Sequence, residues 1–66
     1  MLEEESGFEE LTEREQEVAA LAAKGYRNHE IAKELFISEN TVKHHLKIIF
    51  QKMNIDRRSK LVEMLR

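Results

Sequence analysis

The sequence predicts an all-α fold: a compact four-helix domain with a helix-turn-helix at its centre. Three observations predict it. Sixty-six residues hold no proline and only two glycines, so little interrupts a helix. Apolar residues recur at three- and four-residue spacing in four separate stretches. Helix-start residues, Thr12, Asn28 and Ser38, stand ahead of the first three stretches, and Gly25 marks a stop.

The first helix is expected at about 13–24. Thr12 with Glu15 three residues later reads as a capping box, and Glu13, Glu15 and Glu17 suit the positive end of the helix dipole. Leu11 precedes the cap, but Gln16 sits where a hydrophobic staple would need an apolar partner. Val18, Leu21 and Ala22 supply a core face, and Gly25 ends the helix. Asn28 is the expected cap of a short second helix, about 29–36, with Ile31, Ala32 and Leu35 as its buried stripe.

The third helix, about 39–53, starts at the cap Ser38. Val42, Leu46, Ile49, Phe50 and Met53 follow a buried helical stripe, while Asn40, Lys43, His44, Lys47 and Gln51 fall on the opposite face. Asn54 suits the left-handed conformation that closes a helix. A fourth helix, about 58–66, carries Leu61, Val62 and Leu65 with Met64 beside them. Residues 1–10 read as an acidic lead-in or linker end and residues 11–66 as the domain, with Phe8 and Leu11 expected to pack back ahead of the first helix.

The net charge of −2 hides a gradient. Residues 1–17 hold eight glutamates against one arginine, a net −7. Residues 38–60 hold six Lys or Arg against Glu39 and Asp56, a net +4. Exposed charges act over about 8–10 Å, so a phosphate backbone meets the local face rather than the chain average. The outer face of the third helix has long donors and no acid past Glu39. That composition suits base edges: Lys reaches guanine O6 and N7, and Asn or Gln reaches adenine. By itself the same face also fits an ordinary solvated amphipathic helix.

The absence of cysteine excludes disulfides and thiolate metal sites. No apolar run is long enough to span a membrane. The N-terminus lacks the basic start and apolar core of a signal peptide, which makes the cytoplasm the default location. No nucleophile with a His and acid pattern and no Gly-rich phosphate loop is present, so an enzyme is not expected. His44 and His45 point about 100° apart on a helix, and His29 lies on another, so neither a metal nor a cofactor is expected.

Several of these residues, taken together, resemble the LuxR/FixJ-type DNA-binding domain, the GerE-like four-helix module. They are Leu11 to Glu15, Ala23 to Gly25, and Glu30 to Ala32 with Leu35. Ile37-Ser38, Thr41 to His45, Lys52-Met53, Ile55, Arg58-Ser59 and Leu61 complete the pattern over about residues 9–66. The resemblance implies a bacterial transcription regulator whose third helix enters the major groove of duplex DNA. It implies base contacts from Lys43, His44 and Lys47, and phosphate contacts from Asn28, Ser38, Thr41 and Lys52; Arg58, beside Arg57 and Lys60, is a further cation expected at a phosphate. It implies a homodimer on inverted half-sites through the fourth helix, with Leu61, Val62, Met64 and Leu65 as the seam. In relatives the module is usually the C-terminal output domain of a response regulator or signal-binding protein; for this chain duplex DNA is the expected partner, with RNA polymerase a further candidate.

Some positions carry a second reading. His45 matches a packing position at the border of the core. Arg58 can instead pair with an acid of the first helix, such as Glu15 or Glu17. Phe36 lies in the turn, where a glycine or small polar residue is usual, and a positive φ there would be strained. Two rival functions stand beside the regulator. One is a sigma-factor region-4-like promoter binder, against which the fourth helix speaks. The other is a protein–protein interaction module that uses the apolar stripe of the fourth helix and has lost DNA binding.

Overall fold

The computed structural model describes residues 7–65. Its elements, in order, are one 3-10 turn, Phe8–Glu10, and four helices: α1 (Glu13–Ala23), α2 (Asn28–Leu35), α3 (Glu39–Lys52) and α4 (Arg58–Leu65). No strand occurs among the described residues. The expected four helices are all present, with ends within a residue of the sequence reading. Most of the acidic lead-in, residues 1–6, and the last position of the expected fourth helix, residue 66, lie outside the described residues.

Local chemistry explains the helix starts. Thr12 and Glu15 form the expected capping box: the Thr12 N–H donates to Glu15 Oε1 at 3.0 Å, and the Glu15 N–H donates to Thr12 Oγ1 at 3.2 Å. Ser38 Oγ accepts from the Thr41 N–H at 3.1 Å. The second helix corrects the sequence reading. Its cap is Arg27, whose backbone N–H donates to Glu30 Oε1 at 2.7 Å, and Asn28 is the first helical residue. Glu30 closes the helix start from inside by accepting the Arg27 N–H, and the Asn28 side chain is engaged by Arg58 instead of capping the first turn.

The helix ends share one geometry. After α1, α2 and α3 a single residue turns left-handed: Gly25 at φ 98°, Phe36 at φ 59° and Asn54 at φ 57°. In each case the next N–H reaches back five residues: Tyr26 to Leu21 O, Ile37 to Ala32 O, and Ile55 to Phe50 O, at 3.0–3.1 Å. This closure satisfies the last carbonyls of the helix. Glycine and asparagine adopt it at little cost, whereas phenylalanine does not.

α1 is the hub and packs against α2, α3 and α4, while α2 also packs on α3. The core consists of Leu11, Val18, Ala19, Ala22, Ile31, Ala32, Val42, Leu46, Ile49, Met53 and Leu61. Leu21, Leu35 and Phe50, expected in the buried stripes, are half-buried at its margin. The 3-10 turn is tied down as well. Phe8 packs on the core, and Gln16 Nε2 donates to the Phe8 carbonyl at 3.3 Å. Gln16, the wrong residue for a staple, thus holds the entering chain by a hydrogen bond.

Candidate nucleic-acid interface

The α3 helix has one buried and one open face. Val42 and Ile49 have no exposed surface, and Leu46 and Met53 are nearly buried. Asn40, Lys43, His44, Lys47 and Gln51 are all exposed on the far side. Among the described residues, the side chains of Lys43, His44 and Lys47 make no hydrogen bond and no ion pair. Each therefore keeps its full donor capacity for a partner outside the chain. His45, one position on, is half-buried; its Nδ1 is buried and finds no hydrogen-bond partner among the described residues.

At the start of α3 the two hydroxyls of Ser38 and Thr41 lie 2.9 Å apart and are joined by one hydrogen bond, which leaves the other hydroxyl hydrogen free to donate outward. At the start of α2 the half-buried Asn28 carboxamide accepts from Arg58 Nη1 at 2.8 Å. Arg58 Nη2 donates to the Tyr26 carbonyl. Burial lowers the Arg58 pKa from its ordinary value, yet a guanidinium stays charged. Arg58 thus meets neither Glu15 nor Glu17.

Glu15 instead holds Lys52. The Lys52 ammonium lies 3.1 Å from Glu15 Oε1 and donates to the Glu10 carbonyl at 3.2 Å. The Glu15 carboxylate is buried. The Thr12 N–H, aided by Lys52, keeps its pKa below the usual carboxylate range, although burial pushes the other way. Glu17 pairs at 3.3 Å with Arg14 on the surface. The sequence shows Glu15 as a capping acid and Lys52 as a basic helix end; that the two meet depends on how α1 crosses α3.

On α4, Leu61 is fully buried in the core of its own domain. Val62 and Leu65 are half-buried, and Met64 is 39% exposed. Among the described residues no helix is long and apolar enough to cross a membrane, and no metal-binding cluster of His, Cys, Asp or Glu occurs.

An open basic face on the third of four helices, with hydroxyl and amide donors at the starts of α2 and α3, is the arrangement of a DNA-reading helix-turn-helix. The model for bacterial regulatory proteins of the luxR family matches residues 9–65. The chain belongs to the LuxR family. Among its LuxR-type relatives, the oxygen regulatory protein NreC of Staphylococcus carnosus is 48% identical over 56 residues, 85% of this chain and 26% of NreC. The transcriptional regulatory protein DegU of Brevibacillus brevis is 50% identical over 52 residues, 79% of this chain and 22% of DegU. The response regulator protein VraR of Staphylococcus aureus (strain Mu3 / ATCC 700698) is 46% identical over 55 residues, 83% of this chain and 26% of VraR. The chain spans about a quarter of the length of these curated relatives. As a LuxR-type domain it binds DNA in transcription regulation and is not an enzyme. The sigma-factor alternative falls away, since the match runs through α4.

Proposed function

We propose that this domain reads duplex DNA with α3 in the major groove, as the sequence-specific output of a transcription regulator. Lys43, His44 and Lys47 meet base edges, and Asn28, Ser38 and Thr41 meet phosphates. Phosphate contacts set the register of the protein on DNA, and base contacts specify the sequence. Two copies sit on inverted half-sites through α4, with Val62, Met64 and Leu65 at the seam and Leu61 supporting them from the core. The carrying observation is the unpaired trio Lys43, His44 and Lys47 on the open face of a helix anchored by its other side. Lys52 and Arg58 are assigned to holding the domain rather than to the direct contacts, since each commits two N–H donors to Glu15 and Glu10 or to Asn28 and Tyr26.

Selection of bound duplexes from a random library tests this reading, since it returns the site, its symmetry and the half-site spacing together. Lys47→Ala should then cost about 1–3 kcal/mol on the selected duplex and relax preference at one base pair. Equal loss on all sequences would make Lys47 a phosphate contact. A pool that yields no enriched sequence would sink the proposal.

A further inference from the structure

Arg58 opens α4, yet its guanidinium reaches back across the domain to the α1–α2 connection and the first residue of α2. A guanidinium carries donors and no acceptor. The carboxamide facing it must therefore present its oxygen: rotated by half a turn, Asn28 would bring N–H against N–H. With Oδ1 held at 2.8 Å by Nη1, the Asn28 NH2 is directed away from Arg58. That NH2 has no hydrogen-bond partner among the described residues and is not among their buried, unsatisfied atoms, so it remains open to an outside acceptor.

Arg58 commits one N–H of each Nη to Asn28 Oδ1 and the Tyr26 carbonyl, and swinging its guanidinium outward would abandon both, which leaves only its remaining N–H groups for a phosphate. Its neighbours Arg57 and Lys60 are exposed and make no ion pair among the described residues, so cations better placed for a nearby phosphate already exist. We propose that Arg58 is a positioning residue for DNA binding. It acts through Asn28, locking the carboxamide with its NH2 outward toward the phosphate backbone, and takes no phosphate itself. This rests on the reading of Asn28 as a phosphate contact.

The two roles differ in how affinity depends on salt. A cation that neutralises a phosphate contributes about 0.9 to the slope of log affinity against log salt, whereas a neutral amide releases no counterion. The test measures binding of the chain and its variants to one fixed duplex from the selected pool, across a salt series, with melting curves to show each variant folded. Asn28→Ala and Arg58→Ala are each expected to weaken binding roughly tenfold, the scale of one hydrogen bond to a charged group. The double variant should be no weaker than either single one, and the salt slope should not change. Arg58→Lys, which keeps the charge but loses the fork, should fall to the same affinity and serves if Arg58→Ala does not fold.

A slope lower by about one in Arg58→Ala, or wild-type affinity in Arg58→Lys, would overturn the positioning role, as would losses that multiply in the double variant. Wild-type affinity in Asn28→Ala would overturn it differently, by removing the Asn28 contact on which it rests.

Discussion

Phe36 offers the most direct test of how the helix ends are built. It sits at φ 59° and ψ 44° at the end of α2 and is 93% exposed. A non-glycine L-residue in the left-handed region costs about 1–2 kcal/mol. Glycine removes that cost but adds about 0.5–1 kcal/mol of chain entropy to be lost on folding. The exposed ring leaves almost no apolar burial to forfeit. Phe36→Gly should therefore stabilise the domain by roughly 0.5–1 kcal/mol. For a domain of this size each 1 kcal/mol moves the melting temperature by about 4–8 °C, so a rise of about 2–8 °C is expected. Far-UV circular dichroism during heating measures it, with Phe36→Ala as a control that keeps the left-handed cost and should change little. A Phe36→Gly variant that melts at or below the parent, with its helix content intact, would refute the claim that Phe36 is held in a costly conformation.

Two further predictions concern the clamp between the entering chain and α3. Gly7 is buried at φ 88°, and a Cβ there would lie 2.5 Å from the Lys52 carbonyl oxygen. Gly7→Ala should cost roughly 1–3 kcal/mol, read as a lower urea midpoint, and an unchanged midpoint would mean that the turn does not contribute to stability. Glu15 has a folded-state pKa below its unfolded value, so its contribution is present above about pH 4.3 and is lost as pH falls through the lower folded value. Glu15→Gln should lower stability at pH 7 by about 1–3 kcal/mol, and the gap to wild type should close in urea titrations taken down toward pH 3. A gap that stays constant with pH would show that charge plays no part.

The agreement between sequence and structure is uneven for a physical reason. Thr12, Ser38, Gly25 and Asn54 mark helix ends through bonds that span at most five residues, so the sequence displays them directly. Asn28 misled because Asn is a strong local cap signal, yet its carboxamide bonds to Arg58, 30 residues away, and the helix starts one residue earlier, with the Arg27 N–H closed by Glu30. For α4 the helical period identified the apolar residues without deciding which of them faces α1; the packing buries Leu61 and leaves Met64 out.

By itself the sequence determined four helices, the caps Thr12 and Ser38, the stops at Gly25 and Asn54, and a basic third-helix face opposite an apolar one, because propensity, capping and periodicity act within a few residues. The tertiary structure alone decided that Lys52 meets Glu15 and that Arg58 meets Asn28 and Tyr26. Those partners stand 37, 30 and 32 residues apart along the chain. A long basic side chain can reach any acceptor that packing brings near, and only the crossing of the helices selects one.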